Sequence, residues 1–326
     1  MNIDLLARRG LAGSVPSPQG NIASPVEIGL PPGLKRAFRI IAFDWDGTAV
    51  PSRRHPADEV IARVNPLLRA DIRCVVITGT NFPNIDSQFT SRLDPHSRRH
   101  VYVCANRGSE VFGFDEAGET VVLHRREATP EENRAMDEVA TGARDELRER
   151  YGLVTEVIFN RLNRRKLDLI PVPEWADPPK EMIARLLEAV EVRLASAGVP
   201  DGIKGVIKMV EARSRATGFD FRITTDVKHV EVGLTDKRDS VVYIMHNIAA
   251  PAGIRPCEVL FLGDEFGPVG GFEGSDSKMI VACAEGAVFA SVGAEPGGVP
   301  EGVIRYGRGA PGFLEILDCQ LALHRA

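Results

Sequence analysis

Two aspartates set two residues apart, Asp44 and Asp46, follow four apolar positions, Ile40, Ile41, Ala42 and Phe43, and precede Gly47 and Thr48. Carboxylates this close repel one another and raise each other's pKa unless a cation or a dedicated proton-transfer role offsets the repulsion. A hard, oxygen-seeking ion such as Mg²⁺ is an economical solution, because it takes one or two carboxylates together with waters and a substrate phosphate. One acid can then attack phosphorus while the other moves a proton. A D-x-D string is also a common way for a strand to end in a solvated turn, and the pair alone does not separate the two readings.

The apolar run is what must position the acids. Unbroken by polar residues, it reads as a parallel strand covered on both faces, since a half-exposed strand would alternate. The carboxylates then stand at its carboxyl end, the edge where open α/β sheets bind ligands. Side chains two apart on a strand share a face, so both can turn toward one ligand.

The string Phe43-Asp-Trp-Asp-Gly-Thr48 resembles the first motif of the haloacid dehalogenase-like (HAD) superfamily, and three later segments resemble the remaining motifs in chain order. Cys74-Val-Val-Ile-Thr-Gly-Thr80 offers Thr78 at the end of a second apolar strand. Gly233-Leu-Thr-Asp-Lys-Arg-Asp-Ser240 offers Lys237. Val259-Leu-Phe-Leu-Gly-Asp-Glu265 offers Asp264. Four elements in the right order are more specific than any one of them. The resemblance implies an α/β protein with a Rossmann-like parallel-sheet core and an inserted α+β cap of αββ type, as in the large-capped branch of the superfamily. It also implies a Mg²⁺-dependent phosphoric monoester hydrolase acting on a small-molecule phosphorylated substrate, a sugar or polyol phosphate.

Carried over residue by residue, the resemblance makes Asp44 the nucleophile and Asp46 the acid and base, with Thr78 and Lys237 on the phosphoryl oxygens. Asp44, Asp46 through its carbonyl, and Asp264 hold the metal. Relatives place a further aspartate about four residues after the last motif, where this chain has Pro268. Asp276, in Gly274-Ser-Asp-Ser-Lys-Met279, is the favoured substitute, oriented on the metal's waters, and Glu265 is the alternative. Many relatives read Thr-Gly-Arg where this chain reads Thr78-Gly79-Thr80-Asn81, which leaves open what replaces the arginine. Gly79 and Thr80 join the phosphate loop, Asn81 is a candidate replacement, and Asn106, after the strand His100 to Ala105, is expected beside it. Arg53, Arg54 and His55 fall where relatives carry a flap, and Lys228 is the fallback for Lys237.

Length and composition suit two domains: 326 residues, 44% hydrophobic and 26% charged. A net charge of −5 argues against nucleic acid or an anionic membrane as the main partner. No apolar run approaches the roughly 20 residues of a membrane span, and no leader-like segment opens the chain, so a cytoplasmic location is expected. The scattered cysteines Cys74, Cys104, Cys257, Cys283 and Cys319 read as reduced thiols.

Residues 1–36, broken by Pro and Gly, read as an irregular arm with at most a turn at Ile3 to Arg9. The core is expected over 37–126 and 228–326, and the cap over 127–227. A helix from Ala57 carries Pro66, which would kink or end it. The hairpin Glu110 to Val122 follows. Thr129-Pro-Glu-Glu132 begins the first cap helix as a capping box. Strands are expected near Val154 to Phe159 and Lys166 to Pro171, then a helix after Asp177, a strand or short helix at Val206 to Val210, and a strand at Asp220 to Thr224. The chain should return to the core at His229. Ala287 to Val292 and Val303 to Tyr306 are expected as edge strands, before a closing helix with Phe313, Leu314, Ile316, Leu317 and Leu321 on its apolar face. Arg161, Asn163, Arg164, Arg165 and Lys166 are placed on the turn between the first cap strands, where they suit a sugar or second phosphate, or form a solvated surface. Lys204, Lys208, Glu211 and Arg213 are weaker candidates of the same kind. Two other functions use the same core: a phosphosugar mutase, for which the lengthened loop Gly267 to Gly274 speaks, and a non-catalytic binding protein, which would normally have lost an acid or the lysine.

Overall fold

The computed structural model describes residues 29–176, 178 and 182–325. The expected turn at Ile3 to Arg9, most of the arm and Asp177 lie outside them. Eight strands form one sheet: β1 (Ile40–Asp44), β2 (Arg73–Ile77), β3 (Val101–Ala105), β4 (Glu110–Phe114), β5 (Thr120–Arg125) and, after a long insertion, β10 (Val259–Gly263), β11 (Val288–Ser291) and β12 (Val303–Arg305). Their spatial order is β12-β11-β10-β1-β2-β3-β4-β5, parallel from β12 through β3 and antiparallel over the last hairpin. β1 is central and wholly buried, as its unbroken apolar run requires. It pairs Ala42 with Phe261 on one side and with Val75 on the other.

Alternation along β1 builds two cores. Ile41 and Phe43 pack with helices α1 (Asp58–Arg69) and α7 (Gly309–Arg325), through Val64, Leu67, Phe313 and Ile316. Ile40 and Ala42 face the other way, onto Val241 of α6 (Lys237–Tyr243) and onto Ile244, Ile248 and Met279. Each fully buried Ile, Leu or Phe here stabilises the fold by roughly 1.5–3 kcal/mol. Pro66 does not end α1, which runs on to Arg69. The carbonyl four residues back loses its partner, but Ala62 is exposed and water can replace it. β11 lies inside the sheet and only β12 forms that edge. Of the arm, Leu30 and Leu34 are buried against the body, and Gln320 of α7 donates to the Leu34 and Arg36 carbonyls.

The second sheet, in order β6-β7-β9-β8, comprises β6 (Glu156–Arg161), β7 (Arg164–Asp168), β8 (Arg222–Thr225) and β9 (His229–Gly233). Helices α3 (Pro130–Tyr151), α4 (Ile183–Ser196) and α5 (Gly202–Ala216) pack on one face, against Leu167, Val230 and Val232. Thr129 and Glu132 form the expected capping box. Residues 206–210 lie within helix α5, where their apolar positions at 3.6 spacing bury Val206 and Val210. His229 does not mark the return to the core. β9 pairs with β7 and β8, so the chain crosses back after Gly233, not at residue 228.

Candidate active site

Three carboxylates and one lysine converge at the carboxyl ends of β1 and β10. Lys237, the first residue of α6, donates to Asp44 Oδ1 at 2.7 Å and to Asp276 Oδ1 at 2.5 Å. All three side chains are buried. Burial alone would lower the lysine's pKa, but the two carboxylates outweigh it, Asp276 more than Asp44, and raise it. Asp236 and Asp239 close a capping box that fixes the start of α6 and therefore the stem of Lys237.

Asp276 reaches the site from the loop after β10. Its Oδ2 accepts the backbone N–H groups of Asp264 at 2.9 Å and Glu265 at 2.8 Å. Gly263 makes that approach possible, because a Cβ there would collide with the Asp276 carboxylate. Asp276 thus ties the turn after β10 to Lys237. Glu265 instead accepts from Ser275 Oγ at 2.8 Å at the rim of the cavity. Asp264 accepts the Thr48 hydroxyl at 3.1 Å. Asp44, Asp264 and Asp276 each offer an oxygen within 4.8 Å of the others. An all-oxygen group of this kind, with Asp44 and Asp276 buried and Asp264 half-buried, suits a hard divalent cation.

Thr78 lies beside β1 at the end of β2 and is buried. The Thr80 N–H donates to its Oγ1 at 3.2 Å, which leaves the hydroxyl hydrogen for a ligand. Asn81 caps α2 (Phe82–Gln88) by accepting from Asn84 N. Asn106 donates to Glu110 Oε2 at 2.7 Å. These residues line one cavity of about 450 Å³ together with Asp44, Asp46, Arg53, Gly79 and Lys237. Arg53 approaches Asp46 Oδ2 at 4.0 Å, whereas Arg54 and His55 are not part of the wall.

The opposite wall belongs to the cap. Arg161 through Lys166 were expected on a turn, but the hairpin is tighter and Arg164, Arg165 and Lys166 belong to β7. The pleat divides them. Arg165 faces the helices and pairs with Asp137 of α3, and Asn163 bonds the Ala128 N–H and the Arg126 carbonyl at the crossing between sheets. Arg164 and Lys166 face the cavity with Arg161. Directly across the strands Lys166 opposes Glu231, whose carboxylate also takes Arg164 at 3.3 Å and Arg107 at 2.9 Å. Lys166 lies 2.8 Å from Glu231 Oε1 and 3.2 Å from Asp226 Oδ2. Burial pushes the Glu231 carboxyl up, but Arg107, Arg164 and Lys166 outweigh it and bring it down to about 2.

Arg107 was not singled out from the sequence. It stands in the left-handed region beside Asn106, at φ 58°, and reaches from the core into the cap, donating to Thr224 Oγ1 at 2.8 Å. Its Nε and the Arg164 Nη1 come within 3.7 and 3.9 Å of the point where a Cβ on Gly79 would sit, so guanidinium groups cover this loop even though Thr80 is not an arginine. The only available signal was the string Asn106-Arg107-Gly108 directly after a strand, since Gly108 at φ 85° leaves no room for a Cβ against Ser240. Glu231, Asp226 and Thr224 gave no signal. Lys228 pairs with buried Asp168 at 2.7 Å within the cap, and Lys208 and Arg213 pair with Asp201 and Glu146 on the cap's outer helices, away from this cavity. Lys204 and Glu211 lie on the same outer helix, α5, and do not line the cavity.

No protein-family model matches the chain, and no curated protein matches it either. Solved structures do. The N-terminally truncated, IMP-bound IMP-nucleotidase of Plasmodium falciparum aligns over 89% of this chain and 70% of its own, with a TM-score of 0.54 and 9% identity. The trehalose-6-phosphate phosphatase of Aspergillus fumigatus aligns over 89% of this chain and 95% of its own, with a TM-score of 0.53 and 16% identity. At such identity the likeness is one of fold, and it is the capped Rossmann-like architecture that the four motifs implied. Among the described residues no helix is long and apolar enough to cross a membrane.

Proposed function

We propose that the chain is a Mg²⁺-dependent phosphatase that hydrolyses a small phosphorylated metabolite, a sugar phosphate, through an aspartyl-phosphate intermediate on Asp44. The observation that carries this reading is the Lys237 bridge between Asp44 and Asp276, beside Thr78 and Asp264 at the mouth of a cavity closed by a second domain. A buried aspartate that pairs with a lysine and opens onto a cavity can serve as a nucleophile.

In the proposed reaction Asp44 attacks phosphorus through its oxygen. Thr78 Oγ donates to one phosphoryl oxygen, and Lys237 holds another while keeping Asp44 charged. Asp46, two residues on, protonates the leaving alkoxide, then takes a proton from the water that cleaves the acyl phosphate. Asp44 and Asp264, with the Asp46 carbonyl and Asp276 behind them, are the residues that would hold Mg²⁺. When bound, the ion supplies charge neutralisation at the phosphoryl oxygens. The cap excludes water and presents its polar wall to the leaving group. That the structural relatives include a nucleotidase and a sugar-phosphate phosphatase supports a monoester of this size.

The test is phosphate release with Mg²⁺ across sugar phosphates, polyol phosphates and nucleotides, in the wild type and in Asp44→Asn. Release of phosphate without an activator is expected, falling on the order of 10⁴-fold or more in the variant. A mutase would show isomerisation without net release, and turnover that survives Asp44→Asn would remove the nucleophile from this account.

A further inference from the structure

The cap wall carries more positive charge than the protein itself neutralises. Arg107, Arg161, Arg164 and Lys166 converge there, and the carboxylates within reach of them are Glu231 and Asp226. Asp226 is further shared with His229 at 2.9 Å. Arg164 is 8% exposed, and its Nε has no hydrogen-bond partner. Arg161 lines the same wall and, among the described residues, pairs with no carboxylate. Arg161 is exposed and solvated, but a buried guanidinium with an unpartnered N–H, as at Arg164, is costly, so this donor set is retained where a ligand supplies the missing acceptor.

Resting on the phosphatase reading, we propose that the substrate carries a second anionic group, a phosphate or a carboxylate, seated against Arg161, Arg164 and Lys166 on the cap while its ester phosphate lies on Asp44. The geometry separates two demands on one cavity. Thr78 and Lys237 belong to the reacting phosphate at the core wall. Arg164 and Lys166, two apart on β7, and Arg161 at the end of β6 belong to the cap wall, and a cavity of about 450 Å³ holds a hexose with groups at both ends. Guanidinium groups bind planar or tetrahedral oxyanions through paired N–H donors, whereas a neutral hydroxyl would leave the surplus charge uncancelled. Burial also lowers the Arg164 guanidinium to about 10, a shift that a nearby anion would reverse. Arg107 bridges the two walls through Glu231 and Thr224, so it sets how the cap wall faces the core.

Calorimetric titration of Asp44→Asn protein with Mg²⁺ present reads this without turnover. The probes are glucose 6-phosphate, glucose 1,6-bisphosphate and 6-phosphogluconate. Either or both two-anion probes should bind at least tenfold more tightly than glucose 6-phosphate, and which of the two does so tells phosphate from carboxylate. Arg161→Met in the same background, at an exposed position where folding is not at stake, should shrink that advantage at least threefold. Lys166→Met should do the same if it folds. Equal affinity for all three probes, or an Arg161→Met variant that weakens all three by the same factor, would overturn the second-anion site. The phosphatase reading fails separately, through the absence of phosphate release by the wild type.

Discussion

The two walls of the cavity are charge inverses of one another. On the core side Lys237 stands among Asp44, Asp276 and Asp264, and acids predominate. On the cap side Glu231 and Asp226 stand among Arg107, Arg161, Arg164 and Lys166, and cations predominate. A purely structural ion network tends toward balance, because burying an unmatched charge is expensive. An acid-rich wall facing a base-rich wall across one cavity is what the proposed function asks for: a cation and the reacting phosphorus at the core, a second anion at the cap. On the proposed function, the difference divides labour between chemistry at the sheet edge and selection on the inserted domain.

Removing the central charge on each side sharpens the contrast. Lys237→Met should lower kcat on the order of 10²–10³-fold in steady-state phosphate release, because it withdraws a preorganised donor from the phosphoryl oxygens. A loss below tenfold would make the lysine structural. Glu231→Ala leaves buried Arg164 and half-buried Arg107 and Lys166 without their shared partner and should destabilise the fold by about 3–5 kcal/mol in urea denaturation. A loss under 1 kcal/mol would mean that the cap wall is already hydrated and the inverse picture is wrong. The same carboxylate predicts an acid limb. Its folded pKa of about 2 lies below the ordinary 4.5, so its contribution is complete above pH 4.5 and is lost as pH falls toward 2. Melting temperatures taken between pH 5 and 2.5 should fall more steeply in the wild type than in Glu231→Ala. The smallest effect belongs to Gly263→Ala, whose methyl would displace the Asp276 carboxylate and cost about 1–3 kcal/mol, with a parallel loss of activity. A neutral Gly263→Ala would show that Asp276 does not need its two backbone donors.

The same contrast explains what could be read from the sequence. Each core residue stands at the end of an apolar run, so Asp44, Thr78 and Asp264 announce themselves, and Lys237 follows from their order. Asp276 was legible only as one of two acids, because the choice between it and Glu265 depends on a loop folding back so that its carboxylate meets the Asp264 and Glu265 amides. The cap wall is written in cross-strand register. Lys166 and Glu231 are neighbours because β7 and β9 align antiparallel, a pairing across 65 residues that no local pattern encodes. A charged string such as Arg164-Arg165-Lys166 reads as a turn from composition, yet the pleat sends alternate members to the helices and to the cavity. The boundary at residue 228 missed for the same reason: β9 resembles a core strand in its apolar residues, and only its partners reveal that it completes the cap sheet.

Titration of Mg²⁺ into metal-free protein, followed by calorimetry in the wild type and in Asp264→Asn, tests the core wall most directly. The substitution keeps the shape of the side chain and its capacity to accept from Thr48 while removing one of the three charges. One Mg²⁺ per chain in the wild type, lost or weakened at least tenfold in the variant, is the expected result. No uptake by the wild type, or equal uptake by Asp264→Asn, would contradict a cation site built from Asp44 and Asp264.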